Sequence, residues 1–210
     1  MKSILIPVCL IGAFLAPSCS STRYGDASAE ETVNIDWGST DLQTLSGKMV
    51  KSLLQAPQLA YLADEKKGQD QRIRLYMGGV RNETSEHIDT AAITDLVRTD
   101  LFSSNKFRFV GDAQAQKEVS DQVTFQNESG KVDPAMIKKF GKQLGADVVL
   151  YGSLRSIEKK KGRSLETGGI KTEDVYYLLI LNCVNVETNE LIWTEKGEIR
   201  KTQKTGVFGS

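Results

Sequence analysis

The chain has 210 residues, 27 of them basic and 27 acidic, and 40% of them are hydrophobic. This length and apolar content suit one domain with a single core and modest extensions. Because the two kinds of charge balance, the composition excludes a protein that binds nucleic acid through an overall positive charge.

The amino terminus has the order of an export signal. Lys2 is followed by an apolar run over residues 4–16, and small residues lead to Cys19. A membrane-spanning helix needs roughly 20 apolar residues, so the run is too short and a retained transmembrane anchor is the weaker interpretation. Residues 1–18 are therefore predicted to be a signal peptide, and loss of Lys2 takes the mature side-chain charge to −1.

The segment Leu15-Ala16-Pro17-Ser18 before Cys19 resembles a lipobox, the signal for lipidation of a cysteine. Ala16 stands where the usual pattern has a large aliphatic residue, so ordinary cleavage nearby, leaving a soluble domain, is the alternative. Ser20 follows the cysteine in place of an aspartate, which by analogy with enterobacterial sorting indicates the outer membrane. We expect a lipid on Cys19 and a domain that faces the periplasm.

Cys9 would leave with the signal and Cys19 would be acylated, so the folded domain would keep Cys183 alone and no internal disulfide. Cys183 lies in an apolar run, where a free cysteine usually packs as a small hydrophobic residue. Residues 19–32 are predicted to be the lipidated cysteine and a flexible tether, because residues 20–32 are polar and show no apolar periodicity.

Helical spacing predicts a first helix capped by Asp41 and stopped near Pro57. The alternating segment Arg72–Met77 predicts a strand that enters a loop at Gly78-Gly79. A second helix is expected from Ile88 to Leu101 and a short strand over residues 107–110.

Residues 113–119 are compatible with a helix, and the polar segment up to Lys131 is interpreted as a loop. Asp133-Pro134 predicts the start of a third helix, with an apolar stripe at Met136, Ile137, Phe140 and Leu144. Three strands are expected over residues 147–154, 175–186 and 191–199. The order of elements predicts an α/β (α+β) fold with a mixed four- to five-stranded sheet and helices packed on it.

Several stretches together resemble the globular domain of the LpoB family, lipoprotein activators of a penicillin-binding peptidoglycan synthase. The matching segments are Val80–Thr84, Ile88–Thr90, Asn105–Phe107, Gly145–Ser153 and Val186–Trp193. The resemblance implies a domain over residues 33–201 with a tail at 202–210. It also implies a fold similar to the amino-terminal domain of TolB, a bifunctional penicillin-binding protein as partner, and no enzymatic activity.

The tether departs from the family pattern. Well-studied LpoB proteins have a long proline-rich tether, whereas residues 20–32 can span at most about 45 Å. This favours an alternative, a structural or ligand-binding envelope lipoprotein of the same fold with a different partner. A location in the inner membrane is a further alternative.

Signals for catalysis, metals and cofactors are weak. The single histidine, His87, has no neighbours at metal-ligand spacing, and Gly78-Gly79 lacks the rest of a nucleotide-binding motif. A hydrolase would need a cleft with convergent titratable residues. We expect no cofactor and no metal.

Two polar segments are the candidate partner contacts. One is the predicted loop and helix start that follow the first strand, with Arg81, Asn82, Glu83 and His87. The other is a basic cluster interpreted as a hairpin tip, with Lys159, Lys160, Lys161 and Arg163. In the first segment, Asn82 and Thr84 are predicted to shape the loop, and this structural role is favoured over a direct contact with a partner. For the second, a solvated turn is the default, and anionic lipid or an acidic partner patch is the functional alternative.

Overall fold

The chain folds around one mixed five-stranded sheet. The computed structural model describes residues 24–31, 33–62, 69–136, 145–164 and 168–206. The strands are β1 (Ile73–Glu83), β2 (Phe107–Phe109), β3 (Val148–Lys161), β4 (Lys171–Asn185) and β5 (Leu191–Thr205). Their order in the sheet is β2-β1-β3-β4-β5. β1 is parallel to β2 and β3, whereas β3–β4 and β4–β5 are antiparallel. The predicted mixed α+β sheet is confirmed.

The helices of the described residues are α1 (Ser39–Gln55), α2 (Ala91–Ser103) and α3 (Ala113–Glu128), with 3-10 helices at Pro57–Leu62 and Pro134–Met136. Of the predicted third helix, only the first turn is described, and residues 137–144 lie outside the described residues. The expected loop after residue 119 is wrong, because α3 continues to Glu128. No residue of α3 is buried, so the helix makes no core contact that a strong apolar pattern would have indicated.

α1 begins earlier than predicted. Gly38 is the N-cap, and Asp41 is the third helical residue, whose carboxylate accepts a hydrogen bond from the Gly38 N–H at 3.0 Å. Asp41 therefore caps the Gly38 N–H from inside the helix, as the third helical residue does in a capping box. The helix ends before Pro57, as expected.

The core lies between the sheet and the pair α1 and α2. Leu45, Met49 and Leu53 of α1 are buried against the sheet. Cys183 of β4 is a free cysteine and is fully buried, as predicted. A Cβ on Gly197 of β5 would meet the Leu45 and Met49 side chains at 2.7 and 2.8 Å. Glycine at this position lets α1 approach the sheet closely.

β1 does not end at Gly78-Gly79. The pairing with β3 shifts register between Met77 and Gly79, and Gly79 takes a φ of +84°, which favours glycine. The strand then continues to Glu83, so the expected loop at the two glycines is wrong. As a result Arg81, Asn82 and Glu83 lie on a strand, in register with β3.

The strands β3, β4 and β5 extend beyond β1 as a three-stranded ribbon, since β1 pairs with β3 only as far as Arg155. Lys159, Lys160 and Lys161 pair within this ribbon, so the prediction that they form a hairpin tip is wrong. The connecting segment begins at Gly162 and carries Arg163. β5 reaches Thr205, inside the segment that the sequence set apart as a tail. We call residues 158–163, 171–174 and 202–205 the ribbon end.

Part of the predicted tether contacts the domain. The Ala27 carbonyl accepts a hydrogen bond from Gln43 Nε2 at 3.0 Å, and the Glu31 carboxylate accepts from the Thr40 N–H and the Ser39 hydroxyl at the start of α1. Acidic groups at a helix N-terminus are stabilised by the unpaired N–H groups there. Among the described residues, none of the helices is long and apolar enough to cross a membrane.

Candidate functional site: a contact surface at the end of β1

The loop of residues 84–90, between β1 and α2, is shaped by Asn82. Its amide Nδ2 donates to the carbonyls of Glu86 and Ile88 at 2.9 and 3.2 Å, and its Oδ1 accepts from the Thr84 N–H at 3.0 Å. The Thr84 hydroxyl donates to the Glu86 carbonyl at 3.0 Å. The interpretation that Asn82 and Thr84 shape this loop is confirmed, and the Asn82 side chain is largely engaged in that role.

Glu86 connects the loop to the core through hydrogen bonds. Its carboxylate accepts hydrogen bonds from the buried Tyr177 hydroxyl and, at 3.2 Å, from the Trp37 N–H. The rings of Trp37 and Tyr177 meet edge to face with centroids 5.3 Å apart. Burial, with Glu86 next in importance, raises the pKa of Tyr177 well above its usual range, so the hydroxyl stays a donor. Sequence reasoning missed Glu86, because its partners are distant in the chain.

Arg81 and Glu83 lie on the face of the sheet opposite α1 and α2. Glu83 forms an ion pair with Arg81 at 3.2 Å, and it accepts a hydrogen bond from Arg155 Nε of β3 at 2.6 Å. The parallel register sets Glu83 beside Arg155. Arg155 was missed by sequence reasoning, although a cation directly after the apolar run of β3 is a usable signal.

His87 is exposed at the turn of the loop and has no hydrogen-bond or ion-pair partner among the residues that the structure describes. The neighbouring Asp89 carboxylate accepts from the Ala91 N–H at 3.0 Å and so contributes to the start of α2. The imidazole of His87 is therefore available for an intermolecular contact.

The two predicted contact segments are connected in space. The Ser85 N–H donates to the Ser156 hydroxyl at 3.3 Å, and the Ser85 hydroxyl donates to the Glu158 carboxylate. Glu158 in turn lies 3.8 Å from Lys160. The loop and the ribbon are therefore joined by direct side-chain contacts. We call Arg81, Glu83, Ser85, His87 and Arg155 the loop surface.

The ribbon end carries a mixture of paired and unpaired cations. Glu173 pairs with Lys171 at 2.8 Å and with Lys160 at 3.6 Å, and the hydrogen bond from Lys171 lowers the pKa of Glu173. Arg163 donates to the Gly206 carbonyl at 3.1 Å, which joins the start of the β3–β4 connection to the residue after β5. Lys159 and Lys161 are exposed and have no partner among the described residues.

A cavity of about 620 Å³ lies at the other end of β1, between the 3-10 helix at Pro57–Leu62 and the start of the strand. Its carboxylate, Asp70, pairs with Arg72 at 2.9 Å and Arg108 at 3.3 Å, and the Arg72 hydrogen bond lowers the Asp70 pKa to about 2. Within the described ranges there is no group of three or more His, Cys, Asp or Glu residues that could hold a metal ion. The geometry described here provides contact chemistry: ion pairs, exposed cations and a free imidazole.

The comparisons with known proteins found one matching family model and several solved structures of similar fold. Residues 41–199 match the family model described as peptidoglycan-synthase activator LpoB. The LpoB C-terminal domains of Salmonella enterica and Escherichia coli each show 20% identity and a TM-score of 0.42, covering 76% of this chain and 98% of theirs. The NMR structure of Escherichia coli LpoB shows 16% identity and a TM-score of 0.39, covering 97% of this chain and 90% of its own.

No curated protein sequence matches the chain. The family assignment rests on the family model, which covers α1 from Asp41 onward, the sheet as far as Ile199 and the loop surface. Because that match covers well over half of the 210 residues, the chain belongs to the LpoB family of peptidoglycan-synthase activators.

Proposed function

We propose that this protein is a lipid-anchored envelope protein that binds and activates a bifunctional penicillin-binding peptidoglycan synthase. The observation that carries the proposal is the family match over residues 41–199. We propose that the chain acts by contact and contributes no catalytic group. Its energetic basis would be ordinary surface complementarity, with a few well-placed side chains contributing most of the binding free energy.

The loop surface is the proposed contact. Arg81, Arg155 and His87 are exposed, while Glu86 and Asn82 hold the backbone beneath them in place. Arginine is enriched at the energetic centres of interfaces, and a pre-ordered loop loses little conformational entropy on binding. The basic residues Lys159, Lys160, Lys161 and Arg163 form a second candidate surface, for an acidic partner patch or for anionic lipid, and Glu158 connects it to the loop.

The anchor in this proposal is a lipid on Cys19, in the outer membrane and facing the periplasm. A diacyl chain with an acylated amino terminus holds a protein firmly, since each buried methylene contributes about 0.8 kcal/mol. Residues 1–18 would be removed as the signal peptide, and the folded domain would follow a short tether.

A second candidate function is a structural or ligand-binding envelope lipoprotein of the same fold with a different partner. The contacts of Ala27 and Glu31 with α1 favour it, because they shorten the free tether. A shorter tether makes it harder for an outer-membrane protein to reach a synthase in the inner membrane.

The discriminating experiment is site-specific photo-crosslinking in cells, with a photoreactive amino acid at His87. The control position is Lys117 on α3, which is exposed and outside the loop surface. The proposal expects a penicillin-binding synthase cross-linked from residue 87 and not from residue 117. Capture of a different envelope protein from residue 87, with no synthase, would support the second candidate.

Charge reversal then tests the surface itself. Arg81→Glu and His87→Glu are each expected to weaken binding of the purified synthase about fivefold or more. Because both side chains are exposed, the melting temperature should hardly change. A synthase whose glycosyltransferase rate is the same with and without the protein would contradict the activator role, whatever the affinity.

A further inference from the structure

The chain enters the folded domain close to the start of α1. Ala27 and Glu31 both contact that helix, through Gln43 and through Ser39 and Thr40. Only residues 20–26 lie between Cys19 and Ala27, and a fully extended segment of that length spans at most about 25 Å. A lipid anchor on Cys19 would therefore hold the membrane surface within about 25 Å of the start of α1.

The ribbon end lies at this same end of the domain. Lys201 of β5 forms an ion pair with Asp41 in the first turn of α1 and donates to the Asp36 carbonyl at 2.6 Å. Lys204 is three residues further along β5, about 10 Å away at the usual strand rise. The register sets Lys204 beside Thr172, and Thr172 beside Lys161. The ribbon end is thus well within the reach of the tether.

The ribbon end is basic. It contains six cationic side chains and three carboxylates, and Glu158 and Glu173 are already paired with Lys160 and Lys171. Lys159, Lys161 and Lys204 are exposed and have no partner among the described residues. The third carboxylate, Asp174, accepts from the Thr202 hydroxyl.

The three free lysines share one face of the sheet. Lys159 and Lys161 alternate with Lys160 along β3, about 7 Å apart, and Lys204 lies two strands from Lys161, about 10 Å away. Ile157, on the same face and two residues before Lys159, is 59% exposed. Cations beside an exposed aliphatic side chain suit the headgroup region of a bilayer, where charge meets phosphate and apolar groups meet acyl chains.

We propose that the ribbon end is a membrane-contact surface, in which Lys159, Lys161 and Lys204 bind the phosphate groups of anionic phospholipids in the leaflet that carries the anchor. This inference rests on the proposed lipid on Cys19 and adds an orientation to it. A lipid chain combined with a basic patch holds a protein in a defined pose, since the patch selects which side faces the membrane. The short tether and the excess of positive charge at the ribbon end favour lipid over an acidic protein as the molecule bound there.

The test is vesicle binding of the full mature chain, residues 19–210, carrying Cys19→Ala and so no lipid. Sedimentation compares vesicles of phosphatidylethanolamine and phosphatidylglycerol, mixed 3:1, with vesicles of phosphatidylcholine alone. We expect binding to the anionic vesicles that weakens as salt rises. Lys159→Glu, Lys161→Glu and Lys204→Glu combined should weaken it at least about 100-fold, and the three glutamine substitutions should weaken it less.

The matched control replaces three exposed lysines outside the ribbon with glutamate, which gives the same change in net charge. These lysines are Lys51, Lys117 and Lys131. The control variant should bind within about threefold of the parent, and both triple variants should melt at the parent temperature. Equal losses in the two triple variants, or parent binding that ignores phosphatidylglycerol, would overturn the proposal. The proposal would also be overturned if the ribbon triple variant still bound vesicles but no longer bound the synthase. Mass measurement of the wild-type amino terminus tests the anchor separately, so the two failures are distinguishable.

Discussion

The hydroxyl of Tyr177, at the centre of β4, donates a hydrogen bond to the carboxylate of Glu86 in the loop that follows β1. Tyr177 is fully buried, and Glu86 also accepts from the Trp37 N–H. This contact joins the core to the candidate contact loop and to the segment that leads into α1. A surface loop is thereby held in position by an interior side chain.

Tyr177→Phe should lower the free energy of unfolding by about 1.5–3 kcal/mol, because it removes a hydrogen bond to a charged group and leaves that group partly unpaired. Chemical denaturation measures the change. Tyr176→Phe is the matched control, since the Tyr176 hydroxyl donates to Glu198 on the exposed side of the sheet. Equal losses of unfolding free energy in the two variants would show that the buried contact with Glu86 stabilises the fold no more than the exposed contact with Glu198.

Asp41→Asn should destabilise the domain by about 3 kcal/mol. Asp41 and Lys201 are both largely buried, so loss of the carboxylate charge leaves the Lys201 ammonium without its counter-charge, with the Asp36 carbonyl still an acceptor. Asp41→Asn combined with Lys201→Met should recover part of the loss, as denaturation midpoints would show. Lys196→Met removes an exposed pair with Glu198 and should cost less than about 0.5 kcal/mol. A Lys196→Met cost equal to that of Asp41→Asn would contradict this account.

The Cys183 thiol should resist a thiol reagent at pH 8 in the native protein and react once the protein is denatured. Burial raises the pKa of the Cys183 thiol to about 12 from an ordinary 9.0. The unfolded chain therefore loses this proton first, and the free energy of unfolding should fall as pH rises from about 9 towards 12. Cys183→Ala should reduce that decline. The measurements use Cys19→Ala protein, and rapid labelling of the folded form would contradict the burial.

Gly152→Ala should destabilise the domain by about 3 kcal/mol, because an added Cβ would lie 2.1 Å from the Ile180 carbonyl oxygen and 2.5 Å from Leu181 Cδ2. Thermal melting measures the loss. The control is Gly47→Ala, in the exposed middle of α1 where a Cβ meets nothing, and it should raise stability by about 0.5–1 kcal/mol. A neutral Gly152→Ala would mean that β3 and β4 can separate without cost.

Cys19→Ala should release the protein from membranes into the soluble fraction. The wild-type protein should carry the mass of a lipid at its amino terminus, because small residues precede Cys19 after an apolar run. Detergent partitioning and mass spectrometry measure the two effects. Unchanged partitioning of the variant, with no lipid mass on the wild type, would contradict lipidation.

The order of helices and strands could be predicted from the sequence, because it depends on local periodicity. Alternation predicted β1, the apolar stripe of Leu45, Met49 and Leu53 predicted α1, and the apolar run around Cys183 predicted a buried strand. The role of Asn82 was also predictable, since its partners lie within six residues. Where a segment makes no core contact, as in α3 and at Lys159–Lys161, its apolar pattern is weak or absent, and the predictions failed.

The composition of the candidate site was decided by the tertiary structure. Glu86 meets Tyr177 across 91 residues of chain, and Glu83 meets Arg155 across 72. Parallel pairing of β1 with β3 sets these contacts, and no local pattern encodes strand register between distant segments. Likewise Lys159, Lys160 and Lys161 stay in a strand because their backbone pairs with β4. Local periodicity in the sequence determined the elements that carry an apolar pattern, whereas only the packed sheet determined which side chains share a surface.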